Sequence, residues 1–185
     1  MSAVLNCNIT FIGGGNMAQA LIGGLLARGL PATRITVSDP VEKIRLLLAE
    51  KDVHTTDDNL VAIRDADIVL LAVKPQYLAN ILKALKGQLE GKLVISIVAG
   101  AEISTIAHVL ETERVVRVMP NTPALVQTGA HGLFAKEAVT LQDRELASQV
   151  MASTGLTIWV NSEAQIDAVT AVSGSGPAYF FYMME

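Results

Sequence analysis

The stretch "ITFIGGGNMAQALIGGLLARGL", residues 9–30, decides the reading of this chain. Four apolar or β-leaning residues run into three glycines and then into a helical pattern. Met17, Ala18, Leu21, Ile22, Leu25 and Leu26 recur at helical spacing on one face, and Gly29 supplies a stop signal. A strand followed by a glycine turn and a helix is the unit from which parallel α/β sheets are built.

Downstream, "RITVSD" (34–39), "DIVLLAV" (67–73), "KLVISIV" (92–98) and "RVVRVMP" (114–120) read as further buried strands, like "NITFIG" (8–13). Their apolar residues are mostly consecutive, as strands covered on both faces require. Between them, "VEKIRLLLAEK" (41–51) and "PQYLANILKALKG" (75–87) read as helices, the second opened by Pro and closed by Gly. The expected fold class is α/β, a Rossmann-type, doubly wound and mostly parallel sheet. After residue 120 the alternation weakens: "TGAHGLFAK" (128–136) reads as an edge strand, "LQDRELASQVMAST" as a helix and "GLTIWV" as a last strand. Trp159 is expected to pack at a sheet surface.

From Ser162 the character shifts. Ser162 and Gln165 form a capping box, "AQIDAVTAV" follows as a helix, and "SGSGP" (173–177) leads into the apolar "AYFFYMME". Within the chain nothing is expected to cover that last helix. The division expected is a dinucleotide-binding domain over 1–162 and the beginning of an all-α domain over 163–185, cut short.

Composition limits the functions available. The 185 residues are 51% hydrophobic and 17% charged, enough for a core and unlike a disordered chain. With 14 Lys+Arg against 18 Asp+Glu and no dense basic run, nucleic acid is not an expected partner. "MSAVLNCNIT" reads as a lead-in to a strand rather than a signal peptide, and no apolar run is long enough to span a bilayer, so no membrane partner and a cytoplasmic location are expected. The single cysteine, Cys7, forms no intrachain disulfide and fits a reducing compartment. His54, His108 and His131 have no metal-ligand spacing with one another or with Cys7, so no metal is expected.

Gly13-x-Gly15-x-x-Ala18 is the G-x-G-x-x-A variant of the dinucleotide fingerprint, and it stands where its mechanism demands, between a strand and a helix. Gly13 permits a sharp turn, Gly15 lets backbone amides approach a pyrophosphate, and Ala18 lets the helix pack close. The helix N-terminus adds unpaired N–H donors and partial positive charge. The same pattern also serves as a plain βα turn. Asp39 follows at about the distance expected of a ribose-binding acid. Its carboxylate would accept from the hydroxyls of NAD and repel the extra phosphate of NADP, but "DP" is equally ordinary turn chemistry, and Ser38, Lys43 and Arg45 nearby leave the choice of NADPH or NADH open.

Together, "IGGGNMAQALIGGL", "LAVKPQ", "SIVAG", "RVMPNTPALVQTGA" and "IDAVTAVSGSGPAYFFYMME" resemble pyrroline-5-carboxylate reductase. The resemblance implies an N-terminal Rossmann domain, a helical dimerisation domain, a homodimer or higher homo-oligomer, and reduction of the small molecule 1-pyrroline-5-carboxylate to L-proline by NADPH or NADH. It implies that Gly13, Gly15, Asn16, Met17 and Ala18 face the pyrophosphate, Ser38 and Asp39 the adenosine ribose, and Asn59 with Ala72, Val73, Lys74 and Pro75 the adenosine half. "IVAG" (97–100) and "MPNT" (119–122), at strand ends and contributing Val98, Ala99, Gly100 and Asn121, would line the nicotinamide. Lys74 reads as readily as a solvated cation, and Asn121 as a stiff polar turn. Glu163 resembles the family's acidic residue near the substrate and is also the second residue of the capping box. Ser173 to Gly176 read foremost as a segment of close helix–helix packing. The family continues into a segment that binds the substrate carboxylate, beyond the residues here. No catalytic residue is named by these motifs: hydride transfer needs no nucleophile, and the proton donor is unknown. Two alternatives stand beside this reading, a reductase of another imine or a hydroxyacid, and an NAD(P)-binding module without catalysis.

Overall fold

A computed structural model describes residues 5–185, so the first part of "MSAVLNCNIT" lies outside the described residues. The strands are β1 (Ile9–Ile12), β2 (Ile35–Ser38), β3 (His54–Thr56), β4 (Ile68–Leu71), β5 (Leu93–Ser96), β6 (Val115–Met119), β7 (Gly129–Ala135) and β8 (Gly155–Trp159). The helices are α1 (Asn16–Ala27), α2 (Glu42–Ala49), α3 (Asn59–Ile63), α4 (Pro75–Leu85), α5 (Ile103–Leu110), α6 (Leu141–Ala152), α7 (Ala164–Val169) and α8 (Gly176–Met184). A π-helical turn over Thr170–Ser175 joins the last two.

One sheet carries all the strands in the order β3-β2-β1-β4-β5-β6-β7-β8. The first six are mutually parallel, β7 runs antiparallel to β6, and β8 is parallel to β7. The order reverses between β1 and β4, which is the switch point where ligands of such sheets bind. Consecutive apolar residues still divide between two cores. In β4, Ile68 and Leu70 join Phe11, Leu21, Leu25 and the α6 residues Val150 and Met151, while Val69 and Leu71 join Leu78 and Leu82 of α4 and Ile103 and Ile106 of α5.

"TGAHGLFAK" is not an edge strand: β7 sits between β6 and β8, and β8 is the edge. Its two buried faces account for the difference, since Leu133 enters one core and Phe134 packs on the other. β3, α3 and α5 were not anticipated. The two helices expected at either side of "SGSGP" run continuously through the π turn rather than breaking there. Trp159 packs against the core, donates to Ser148 Oγ at 2.8 Å and lies 5.0 Å from the Arg144 guanidinium.

Candidate functional site

The glycine loop crosses the carboxyl ends of β1 and β4. Gly13 has φ +99°, and a Cβ there would lie 2.5 Å from the Ala72 carbonyl oxygen, so both backbone conformation and space demand glycine. Gly14 faces inward, where a Cβ would meet Ile44 and Leu48 at 2.7 and 2.9 Å. Gly15 is exposed, with nothing within 4 Å of its Cβ position. It is the N-cap of α1, whose first turn has no side-chain cap and no acidic residue. The loop therefore offers open space, free amides and the positive end of a helix at one point. Ala18 is buried under α1 and serves helix packing rather than facing the loop's open side.

Asp39 is 7% exposed and ties the loop down. Its Oδ2 accepts from the Gly14 N–H at 2.8 Å and its Oδ1 from the Val41 N–H at 2.9 Å. Ser38 donates through Oγ to Asn59 Oδ1 at 2.7 Å, and the Ser38 carbonyl accepts from Gly13 N–H. Arg45 donates to the carbonyls of Asp39 and Pro40.

Gly13, Gly15, Ser38, Asp39, Val41 and Asn59 border a crevice of about 560 Å³ that also takes in Ala72, Val73, Lys74 and Tyr77. A second crevice, of about 630 Å³, shares Gly15, Ala72, Val73 and Lys74 with the first and continues past Asn16, Met17 and Pro75 to Ala99, Met119, Asn121 and Gly174. The two form one groove along the strand ends. Lys74 is exposed on the lip of both halves. Asn121 Oδ1 accepts from the Ala130 N–H at 2.9 Å, closing the turn that follows β6. Val98 is buried, and with Gly100 it borders a separate hollow between α4 and α5; of the three residues expected from that segment, only Ala99 reaches the groove.

Glu163 lines neither crevice and is bonded instead to the start of α5 and to β6. Its Oε1 accepts from the Ile103 N–H at 2.8 Å and from Arg117 at 3.1 Å. Met119 and Thr122, from the "MPNT" turn, line the groove together with Gly174, which reads in sequence as a packing residue, and with Tyr77, which is not singled out in sequence. Gly174 approaches Met119 closely: a Cβ on it would lie 2.7 Å from Met119 Cε. The close packing expected of "SGSG" is thus against the sheet rather than against another helix.

The chemistry available is that of binding and orientation. Among the described residues no group of three or more His, Cys, Asp and Glu side chains is placed to hold a metal. The Cys7 thiol is buried, and burial together with the Asp67 carboxylate pushes it up to about 11, so it stays protonated. No helix of the described residues is long and apolar enough to cross a membrane.

A glycine loop that opens a helix at the switch point of a parallel sheet defines a dinucleotide-binding domain of the Rossmann type. Residues 8–100 match the family described as NADP oxidoreductase coenzyme F420-dependent, and residues 163–185 match pyrroline-5-carboxylate reductase dimerisation. A pyrroline-5-carboxylate reductase of Haemophilus influenzae is 49% identical over 96% of this chain and 66% of its own length. The solved structure of a Coxiella burnetii pyrroline-5-carboxylate reductase is 44% identical, with a TM-score of 0.92 over 97% of this chain and 68% of that one. A Plasmodium falciparum pyrroline carboxylate reductase solved with NADP bound is 30% identical, with a TM-score of 0.85 over 96% of this chain and 66% of that one. The chain belongs to the pyrroline-5-carboxylate reductase family, and it spans about two thirds of the length of the curated relatives it matches.

Proposed function

We propose that this protein is an oxidoreductase that reduces 1-pyrroline-5-carboxylate to L-proline with NADPH or NADH. The observation that carries the reading is the continuous groove, open at Gly15 and running from Ser38 and Asn59 at one end to Asn121 and Gly174 at the other. The Plasmodium relative with NADP bound and the family membership support the same reading. When bound, the nicotinamide supplies a hydride for the imine carbon, and a protonated imine nitrogen makes that carbon a better acceptor. The residues of the chain bind and orient. Free amides at the start of α1 take the pyrophosphate. Ser38, Asp39, Asn59 and the wall from Ala72 to Pro75 enclose the adenosine half. Ala99, Met119, Asn121 and Gly174 enclose the other end and exclude water, which fixes reacting groups against one another.

In the same reading, residues 1–162 form the dinucleotide-binding domain and 163–185 belong to a helical dimerisation and substrate domain. The match of that segment to a dimerisation family supports a homodimer or larger homo-oligomer. So does α8, whose Tyr179, Phe180, Phe181, Tyr182, Met183 and Met184 are all exposed. The free, buried Cys7 fits a cytoplasmic location.

Calorimetry with NADPH and NADH on the native chain and on Gly15→Val, beside a proline-formation assay, tests the reading. A branched side chain at Gly15 occupies the space open to the pyrophosphate, and affinity should fall at least about tenfold, or about 1.4 kcal/mol. Equal affinities for the two proteins would remove the loop from cofactor binding.

A further inference from the structure

We propose that Arg117 is a positioning residue for this reaction, bracing from beneath the three segments that wall the far end of the groove; the proposal rests on the reductase reading above. Arg117 lies on β6 two residues before Met119, with its side chain 5% exposed. Its guanidinium donates to Glu163 Oε1 at 3.1 Å and to Asp167 Oδ1 at 2.8 Å. The two acids are four residues apart, on one face at the start of α7. The same Glu163 oxygen accepts from the Ile103 N–H, the first residue of α5. One cluster therefore fastens β6, α5 and α7 to each other.

Each fastened element continues into the groove wall. Ala99 precedes Ile103, Met119 and Asn121 follow Arg117, and Gly174 follows Asp167 to close against Met119. A planar guanidinium can engage two carboxylates at once in fixed directions, which a lysine point charge does not. Partners on a mobile surface would hold little, but here the cation is buried, so the geometry is held. Nothing in the cluster touches the other half of the groove, around Ser38, Asp39 and Asn59.

That separation gives the test. Calorimetry on the full chain compares NADPH with 2′-phospho-ADP-ribose, which has the same adenosine half and pyrophosphate but no nicotinamide. Arg117→Met should weaken NADPH about tenfold, since small displacements at a reacting end are costly, and leave the fragment's affinity unchanged. Amide hydrogen exchange should rise at Ile103 and across 164–175. In steady state, kcat for imine reduction should fall by a larger factor than KM for the imine rises. Asp167→Asn, at a side chain 70% exposed, removes one ion pair without stranding a buried charge and should move the affinity ratio and the exchange the same way by a smaller factor. Should Arg117→Met fail to fold, Asp167→Asn decides. An unchanged ratio and unchanged exchange overturn the proposal, and so does an equal loss for both ligands, which is the signature of general destabilisation. If the native chain binds neither ligand, the reductase reading falls, and the exchange arm by itself still decides whether Arg117 holds the three segments.

Discussion

Removing the Asp39 carboxylate separates two roles that a ribose-binding acid can have. In the structure both carboxylate oxygens are engaged by backbone amides, Gly14 N–H at 2.8 Å and Val41 N–H at 2.9 Å. The first bond ties the glycine loop to the end of β2, and the second shapes the turn into α2. Asp39→Ala deletes both. A hydrogen bond to a charged group contributes about 1.5–3 kcal/mol, and a buried amide left without a partner carries a penalty of similar size. Val41 is exposed, so water replaces its acceptor, whereas Gly14 is buried and loses its acceptor outright. The net loss expected is about 2–4 kcal/mol. For a chain of this size each kcal/mol moves Tm by about 2–4 °C, so the cofactor-free protein should melt roughly 5–15 °C lower. Calorimetric or circular-dichroism melting without cofactor measures this. An unchanged Tm, with only the relative affinities for NADPH and NADH altered, would refute the strut and leave Asp39 as a ribose contact alone.

Gly13→Ala forces an L side chain to φ +99° and into the Ala72 carbonyl. The backbone term alone is about 1–2 kcal/mol, and the steric term adds to it; a denaturant midpoint that stays in place would show that the loop relaxes freely. His131 gives a pH dependence: it is 1% exposed, its Nε2 meets Thr154 Oγ1 at 3.0 Å, and its Nδ1 has no hydrogen-bond partner. Burial lowers its pKa from 6.5 to about 4, so between those values the unfolded chain holds a proton that the folded chain does not. Stability from this residue is complete above about pH 6.5 and is lost as pH falls toward 4, by roughly 3 kcal/mol at about 1.4 per unit. His131→Gln should flatten that part of the curve of unfolding free energy against pH, and an unaltered slope would place the acid sensitivity elsewhere.

The parts of this molecule that sequence discloses are those whose causes are local. The glycine fingerprint lies within one turn, and each of its residues has a requirement set by the next few. Continuous apolar runs mark β1, β2, β4, β5 and β6 because both faces of each are covered. β3 is only "HTT" and α3 only five residues, so neither carries a period to read. α5 was not read, although Ile103, Ile106, Ala107 and Leu110 repeat at helical spacing and are buried as that spacing requires. The place of β7 was not, because alternation along a strand says nothing of its neighbour. Spacing brought Asp39 to the right strand end, but its two amide partners come from the folded loop and the following turn.

Arg117 shows where a signal was present and unused. A cation inside "RVVRVMP", in a run otherwise read as buried strand, implies an anionic partner, because a buried unpaired guanidinium is too costly to persist. The candidates at helical spacing were Glu163 and Asp167, four residues apart at the start of a predicted helix. Glu163 reads either as a capping-box residue or as an acid near the substrate, and neither reading pairs it with Arg117. Only half of that box forms: Gln165 Oε1 accepts from the N–H groups of Asn161 and Ser162, and no side chain caps the first turn of α7 at Glu163. Because Gln165 holds the chain entering the helix, Glu163 is free to turn toward the sheet and meet Arg117 and the start of α5. One carboxylate oxygen there joins the start of α5 and the middle of β6 to the residue that precedes α7, a link across more than forty residues of chain that no local spacing discloses.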